Sequence, residues 1–262
     1  MDDSGDDAVI LRLQRVGARY GAGEEVLRDV DLSLAASSFH FLVGASGAGK
    51  TSLLRLLSLS HPASRGSITL FGRDVSKLDR EETTGLRRRI GVVFQDFRLL
   101  DHMSAFDNVA LPLRIGGASE EQIAGYVSEM LAWVGLSDLM EARPPQISMG
   151  QRQLLAVARA VITRPSLLLA DEPTSNVDQQ RSTKLMRLFI ALHRMGTAVV
   201  LATHSQELLR QHDFPVLRME GGRLHRGEGD RRRSPVPEPA FAPVTAAVAA
   251  AAAAAVAVSA AE

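Results

Sequence analysis

The chain has 262 residues, no net charge at pH 7 and no cysteine, and 45% of its residues are hydrophobic. This length and composition are typical of a globular protein with one large domain or two small ones. The lack of cysteine excludes disulfides, thiolate metal sites and thiol catalysis. A neutral chain also gives no electrostatic reason to expect nucleic acid as a partner.

The two ends of the chain differ in composition from its centre. Residues 1–7 are acidic and lack the basic and apolar regions of a secretory signal. Residues 228–262 contain an Arg/Pro stretch followed by an uncharged, mostly alanine run from Val244 to Ala261. The run is long enough to span a membrane, but alanine favours insertion less than Leu, Ile or Phe. We therefore expect two low-complexity tails around one domain, residues 8–227, with membrane contact of the second tail as the alternative.

Short apolar runs predict four buried strands, at 39–44, 89–94, 166–171 and 197–203. Residues with helical spacing lie between the later runs, and strands that alternate with helices indicate a mostly parallel sheet covered on both faces. Residues 215–227 are typical of a β-hairpin that turns at Gly221-Gly222. The stretch 96–164 has helical patterns and no clear strand, so it is predicted to be a helical insertion into the α/β core.

Two helices have clear boundaries in the sequence. One follows Ser119, which forms a capping box with Gln122, and it ends at Gly135. The other follows Asp178 and ends at Gly196.

Residues 44–51, GASGAGKT, match the phosphate-binding pattern G-x-x-x-x-G-K-[ST] and lie between a predicted strand and a predicted helix. In this context backbone N–H groups converge on the β-phosphate, while Lys50 reaches the β- and γ-phosphate oxygens and Thr51 binds Mg²⁺. The predicted nucleotide-binding residues here are Gly44, Ala45, Ser46, Gly47, Ala48, Gly49, Lys50, Thr51 and Ser52.

Polar side chains follow three other predicted strands. Asp171 and Glu172 end the run LLLADE, where Asp171 would hold Mg²⁺ and Glu172 would polarise the attacking water. His204 follows the next strand and would reach the γ-phosphate. Gln95 follows the strand IGVVF and would contact the metal or the water. Glu172, His204, Gln95 and Lys50 are the predicted catalytic residues, and Thr51, Gln95 and Asp171 are the predicted metal ligands.

The order of the P-loop, Gln95, ISMGQRQ (147–153), LLLADEP (167–173), SNVD (175–178) and His204 resembles the ATP-binding cassette ATPases over about residues 8–227. The resemblance implies a P-loop NTPase α/β fold with a mostly parallel core sheet, an N-terminal antiparallel β portion and a helical signature subdomain, about 96–164. It also implies ATP and Mg²⁺ as ligands, and head-to-tail dimers in which each signature closes on the ATP of the other subunit.

The same resemblance implies roles for further residues. Tyr20 would stack on adenine, and Asp178 would lie in a loop that communicates across the dimer. Ser148, Gly150 and Gln151 would belong to the signature that binds nucleotide.

Within the family, residues 90–117 and the stretches LLADEPTSNVD and VVLATHSQELL are most similar to the ATPases of a bacterial cell-division complex. This implies a peripheral position on the cytoplasmic side of the inner membrane. It also implies an integral, permease-like partner contacting about Asp96–Arg114, and possible contacts with division proteins. Family members that extract lipoproteins or export macrolides have similar sequences and remain alternatives.

Position 149 is methionine where most family members have glycine. Ser148 and Gln151 form a capping box, which places Met149 in the first turn of a helix with its backbone N–H retained. We therefore expect a working signature, and a weakened hydrolytic site in a protein that signals by binding ATP is the competing hypothesis. Leu154, where the family commonly has Arg, adds to that competing hypothesis.

Three functions from other classes are alternatives. A cassette protein acting on ribosomes or DNA would usually carry two cassettes or a long coiled coil. A small-molecule kinase would not have the signature helix and Glu172. A non-hydrolysing scaffold that binds ATP differs from the main hypothesis only in turnover.

Overall fold

The computed structural model describes residues 9–226, and the predicted tails at 1–7 and 228–262 lie outside the described residues. The strands are Val9–Arg19 (β1), Glu25–Ala35 (β2), Phe39–Val43 (β3), Arg65–Leu70 (β4), Arg73–Asp74 (β5), Ile90–Val93 (β6), Leu167–Asp171 (β7), Ala198–Ala202 (β8), Val216–Glu220 (β9) and Arg223–Arg226 (β10). The α-helices are Lys50–Leu57 (α1), Arg80–Arg88 (α2), Ala105–Ile115 (α3), Glu120–Val134 (α4), Met149–Val161 (α5), Gln179–Arg194 (α6) and Gln206–Gln211 (α7), and short 3₁₀ helices occur at Val75–Lys77, Ser137–Leu139 and Pro144–Gln146.

The strands form two sheets. The core sheet has the order β10-β9-β3-β8-β7-β6, and all its pairs are parallel except the β9–β10 hairpin. The second sheet is antiparallel, with the order β2-β1-β4-β5. The four predicted strands, the hairpin and the mixed α/β class are therefore confirmed.

Alternate residues of the parallel strands point to opposite faces of the core sheet, as the pleat requires. Leu168 and Ala170 of β7 belong to a core cluster that includes α3, α4, α5 and α6. Leu167 and Leu169 belong to a second cluster, which includes α1 and the antiparallel sheet. The core sheet is thus buried on both faces, which explains why its strands are continuous apolar runs.

The segment 96–164 contains α3, α4 and α5 and no strand, as predicted. In α4 both hydrogen bonds of the Ser119/Gln122 capping box are present, and the helix ends at Gly135 in the left-handed conformation. Asp178 caps α6 by accepting a hydrogen bond from the backbone N–H of Arg181. The local sequence signals for these boundaries are therefore confirmed. No helix among residues 9–226 is long and apolar enough to cross a membrane.

Candidate nucleotide-binding site

Four neighbouring parallel strands end at one edge of the core sheet, where the predicted site residues follow them. Ala202 of β8 is level with Asp171 of β7, and Val93 of β6 is level with Ala170. Glu172 and Gln95 therefore follow the ends of their strands at the same level of the sheet. The loop 44–51 follows β3, which is the neighbour of β8. Carboxyl ends of parallel strands are where open α/β sheets bind ligands.

The loop 44–51 is packed so closely that its first glycine has no room for a side chain. A Cβ atom on Gly44 would lie 2.4 Å from the carbonyl oxygen of Met219 in β9. Gly49, the N-cap of α1, has φ of 106°, which favours glycine, and no side chain caps this helix. The first-turn N–H groups of α1 are thus available to an anion.

Lys50 lies over this loop. Its Nζ donates hydrogen bonds to the carbonyl oxygens of Gly44 at 2.7 Å and of Ala45 at 3.1 Å. An ammonium group has three donors, so one further N–H can point to a phosphate oxygen. The two contacts hold the positive charge at the mouth of the loop.

Thr51 and Asp171 contact each other directly. The Thr51 hydroxyl donates a 2.7 Å hydrogen bond to Oδ2 of Asp171, which is only 5% exposed. Burial raises the pKa of Asp171, and the hydrogen bond from Thr51 partly opposes that effect. A divalent cation here would replace missing solvation of the carboxylate, and its presence would favour the ionised form.

The pair Thr51/Asp171 fits Mg²⁺, because a hydroxyl and a carboxylate are the hard oxygen ligands that this ion prefers. Within residues 9–226 no group of three or more His, Cys, Asp or Glu side chains forms a metal cage. With two protein ligands, Mg²⁺ would take its remaining ligands from phosphates and water.

Glu172 and His204 form a second polar contact at the same edge. His204 Nδ1 lies 2.9 Å from Oε1 of Glu172. The Glu172 side chain is 12% exposed and that of His204 is 75% exposed, so the carboxylate is shielded while the ring faces outward. Glu172 also has φ of 51°, in the left-handed region. An unfavourable backbone conformation at a polar strand end is typical of functional sites.

The loop that follows Gln95 is held by a residue that the sequence analysis missed. Gln95 is exposed in a turn after β6. The guanidinium of Arg159 in α5 donates hydrogen bonds of 2.7 Å to the carbonyl oxygens of Phe97 and Arg98, both of which have positive φ. Burial lowers the pKa of Arg159. The signature helix thus fixes the conformation of the loop that carries Gln95.

Tyr20 lies beside the start of α1. It is 41% exposed, its hydroxyl donates to Oγ of Ser52 at 3.3 Å, and its ring lies 4.4 Å from the ring of His61. The contact with Ser52 connects the predicted adenine-binding tyrosine to the phosphate-binding loop. His61 is the second ring of this aromatic pair.

The signature begins α5 as predicted. Ser148 Oγ accepts from the N–H of Gln151, and Oε1 of Gln151 accepts from the N–H of Ser148 at 2.8 Å. Met149 is the first helical residue and is 60% exposed. Leu154 is 3% exposed, so an apolar side chain fits its buried position. Met149 therefore alters the surface at this helix end, and Leu154 contributes to the core.

The start of α5 packs against the loop 174–178 of the same chain. A Cβ atom on Gly150 would lie 2.9 Å from the carbonyl oxygen of Asn176, and Nδ2 of Asn176 donates to Oε1 of the buried Gln153 at 3.4 Å. Asp178 ends this loop as the cap of α6 and pairs with Arg181 at 3.2 Å. Two segments with predicted dimer roles are thus joined within one subunit.

We expect Gly150→Ala to displace the loop 174–178, because the new Cβ meets a backbone atom that cannot rotate away. The expected results are a loss of about 1–3 kcal/mol in the free energy of unfolding and at least a tenfold slower ATPase. Denaturant unfolding and steady-state ATPase assays measure them. Gly125→Ala in α4 is the control, since nothing lies within 4 Å of its Cβ. An unchanged ATPase rate in Gly150→Ala would contradict this role of the contact.

Comparison with known proteins identifies the family. A sequence model described as ABC transporter matches residues 27–175. The cell division ATP-binding protein FtsE of Escherichia coli (strain K12) is 40% identical over 220 residues, covering 84% of this chain and 99% of the relative. FtsE of Haemophilus influenzae is 41% identical over 207 residues, covering 79% and 95%. The methionine import ATP-binding protein MetN of Cupriavidus metallidurans is 38% identical over 219 residues, covering 82% and 64%.

A solved dimeric ATP-binding cassette, in a post-hydrolysis state bound to ADP and Pi, has a TM-score of 0.77 and 31% sequence identity, covering 82% of this chain and 97% of that one. The chain belongs to the ABC transporter family of ATP-binding proteins. It is an ATPase that uses ATP with Mg²⁺. ABC ATPases act as dimers with membrane permease partners, and this chain is a subunit of that class.

Proposed function

We propose that this chain is the ATPase subunit of a bacterial cell-division complex of the FtsE type. The observation that carries the proposal is the 40% identity to E. coli FtsE over 99% of that relative. The match to MetN includes only 64% of the relative, so that protein has a part with no counterpart in the alignment. The proposed complex lies on the cytoplasmic side of the inner membrane, with the chain bound peripherally to an FtsX-like integral subunit.

The geometry of the site supports a hydrolytic mechanism. Glu172 accepts a proton from water as the water oxygen attacks the γ-phosphorus and the bond to the β–γ bridging oxygen breaks. His204 orients this carboxylate through Nδ1, and Lys50 stabilises the charge on the β- and γ-phosphates. Mg²⁺, when bound, neutralises phosphate oxygens. Asp171 and Thr51 would hold it, with Gln95 reaching the same ion or the attacking water.

The dimer is proposed to bring the signature of one subunit to the ATP of the other. Ser148, Gly150 and Gln151 would contact that nucleotide, and Asp178 would lie near the subunit boundary. Within residues 9–226, the hydrogen bonds described for Ser148, Gln151 and Asp178 are made within their own helices or capping turns. The cap arrangement supports the proposal because it presents the first turn of α5 at an exposed helix end.

We expect Met149→Gly to change the ATPase rate by less than about threefold, under ~1 kcal/mol of barrier. Met149 is exposed, and the Ser148/Gln151 capping box does not involve its side chain. Steady-state ATPase assays at saturating ATP measure the effect. A rate increase of tenfold or more would favour the competing hypothesis of a division scaffold with little turnover.

The experiment that tests the division proposal uses Glu172→Gln, which is expected to retain ATP and accumulate as the dimer, expressed in native cells. Membrane proteins that co-purify with it are identified by mass spectrometry. An FtsX-like permease together with division proteins supports the proposal. A lipoprotein-release or solute permease keeps the ATPase mechanism and replaces the division function. The absence of any membrane protein contradicts both.

The proposed contact region for the membrane partner, Asp96–Arg114, is tested in the same preparation. Asp101 is exposed in the turn before α3, so Asp101→Arg changes the surface charge without disturbing the core. Glu129→Arg makes the same change on the exposed face of α4. We expect the first variant, and not the second, to reduce the amount of permease recovered. Equal recovery with both variants would place the contact elsewhere.

A further inference from the structure

A cavity that the ATPase mechanism does not use lies at the amino-terminal ends of the parallel strands, opposite the nucleotide-binding site. Arg89, Ser166 and Thr197 each precede a parallel strand, and the first residues of those strands are level with one another. They line a cavity of 370 Å³. β7 runs from this end of the sheet to Asp171 at the other end, a distance of about 13 Å along the strand. The cavity is therefore distinct from the nucleotide-binding site.

The charged residues described in the lining of this cavity are both basic. Among residues 9–226, its lining includes Arg89 and Arg164 and no acidic residue. The other lining residues are uncharged, and the apolar side chains among them include Ile10, Leu192 and Met195. Two guanidinium groups in one cavity repel each other, and the apolar side chains beside them reduce solvent screening.

Arg164 has unused hydrogen-bonding capacity. Its Nε and Nη2 atoms are buried and have no hydrogen-bond partner among the described residues. Such donors are rare in folded proteins, because a buried charged donor without an acceptor is costly. Burial also lowers the pKa of Arg164, and no carboxylate within the described part of the chain opposes this effect.

Arg89 is available at the mouth of the cavity. Its guanidinium stacks 3.8 Å above the Phe71 ring, and its hydrogen bonds within residues 9–226 are two long contacts, 3.4 and 3.5 Å, with Oγ of Ser166. Burial lowers the pKa of Arg89 as well. The planar edge of this guanidinium can therefore donate to a second oxygen of a ligand that also contacts Arg164.

We propose that this cavity, defined by Arg89, Arg164 and Ser166, binds an oxyanion, either a carboxylate or a phosphate group. Such a ligand supplies acceptors for the buried nitrogens of Arg164 and compensates both positive charges. The chemistry has two possible sources. One is the chain itself, because residues 2–7 include four aspartates and Ile10, three positions after Asp7, lines the cavity. The other is a free anion in solution.

The test uses sulfate as the probe and the full-length chain at constant ionic strength, with chloride exchanged for sulfate. The melting temperature is measured as a function of sulfate concentration for wild type, Arg164→Gln and Arg88→Gln. Arg88 carries the same charge next to the cavity and does not line it. Sulfate binding at the P-loop and general salt effects are common to all three proteins, so they cancel in the comparison.

We expect the sulfate midpoint to be at least about tenfold weaker in Arg164→Gln than in wild type or Arg88→Gln, because two charge-assisted hydrogen bonds are lost. Equal midpoints in the three proteins overturn the proposal. Should Arg164→Gln fail to fold, the more exposed Arg89→Gln replaces it. The arginine Nε–H resonances of ¹⁵N-labelled wild type then provide an independent titration, in which unchanged resonances overturn the proposal.

The source of the anion is determined with a variant in which Asp2, Asp3, Asp6 and Asp7 are all replaced by Asn. If these carboxylates occupy the cavity in wild type, they compete with sulfate, and the variant binds sulfate more tightly. If a free anion is the ligand, the midpoint stays unchanged. The test is independent of the proposed division function, since it needs neither ATP hydrolysis nor a membrane partner.

Discussion

We expect Glu172→Gln to slow ATP hydrolysis by at least about 100-fold while ATP binding persists, because general-base catalysis contributes about 10²–10⁴-fold. Glutamine has the size of glutamate, and its carbonyl oxygen can still accept a hydrogen bond from Nδ1 of His204, which lies 2.9 Å from Glu172 in the wild type. The substitution therefore keeps the geometry and removes only the basic group. Single-turnover hydrolysis and equilibrium ATP binding are the two measurements.

Glu207→Gln is the matched control. Glu207 lies on α7, shortly after His204, and its Oε1 accepts hydrogen bonds from Gln179 at 2.8 Å and Gln211 at 3.0 Å. An amide oxygen can retain these contacts, so we expect an ATPase rate within about threefold of wild type. If the Glu172→Gln protein keeps more than a tenth of the wild-type rate, Glu172 is not the catalytic base, and His204 becomes the candidate for that role.

The parts of the fold that follow from short-range signals were predictable. The buried strands β3, β6, β7 and β8 are continuous apolar runs, and α4 and α6 have capping residues at the predicted positions. Each signal depends on residues within a few positions of each other. The loop 44–51 is a similar case, because glycine, lysine and threonine occur at fixed offsets between a strand and a helix.

Contacts between distant segments were not predictable from the sequence. Arg159 contacts the carbonyl oxygens of Phe97 and Arg98, 62 and 61 positions away, and backbone oxygens have no sequence signature. Met219 likewise approaches Gly44 through its carbonyl oxygen. The capping box predicted where α5 begins, but the packing of Gly150 against Asn176 depends on how α5 lies on the core sheet.

The second large effect concerns Asp171, because burial disfavours the ionised form of its carboxyl group. We expect Asp171→Asn to slow ATP hydrolysis by at least about 100-fold and to raise the melting temperature of the nucleotide-free protein by about 2–4 °C near pH 7.5. The amide keeps an acceptor for the Thr51 hydroxyl, which donates to Asp171 at 2.7 Å in the wild type. It removes the negative charge that Mg²⁺ needs and that burial disfavours.

The sign of the pH dependence follows from the raised pKa of Asp171. The folded protein binds the proton more tightly than the unfolded chain, so wild type loses stability as the pH rises through the pKa range of the unfolded and folded states. The Asp171→Asn protein does not lose stability in this way. Its higher melting temperature relative to wild type is therefore expected to diminish in acid, where the wild-type carboxyl is protonated. Melting temperatures between pH 4 and pH 8 measure this difference.

The exposed carboxylate of Asp138 provides the control, since Asp138→Asn removes a charge on the short 3₁₀ helix Ser137–Leu139 without altering burial. We expect this variant to leave both the ATPase rate and the pH profile close to wild type. An Asp171→Asn protein that is less stable than wild type at neutral pH would show that contacts of the ionised carboxylate outweigh its desolvation. If the Asp171→Asn protein is both less stable and inactive, the charge at this strand end is required for folding rather than for Mg²⁺ binding.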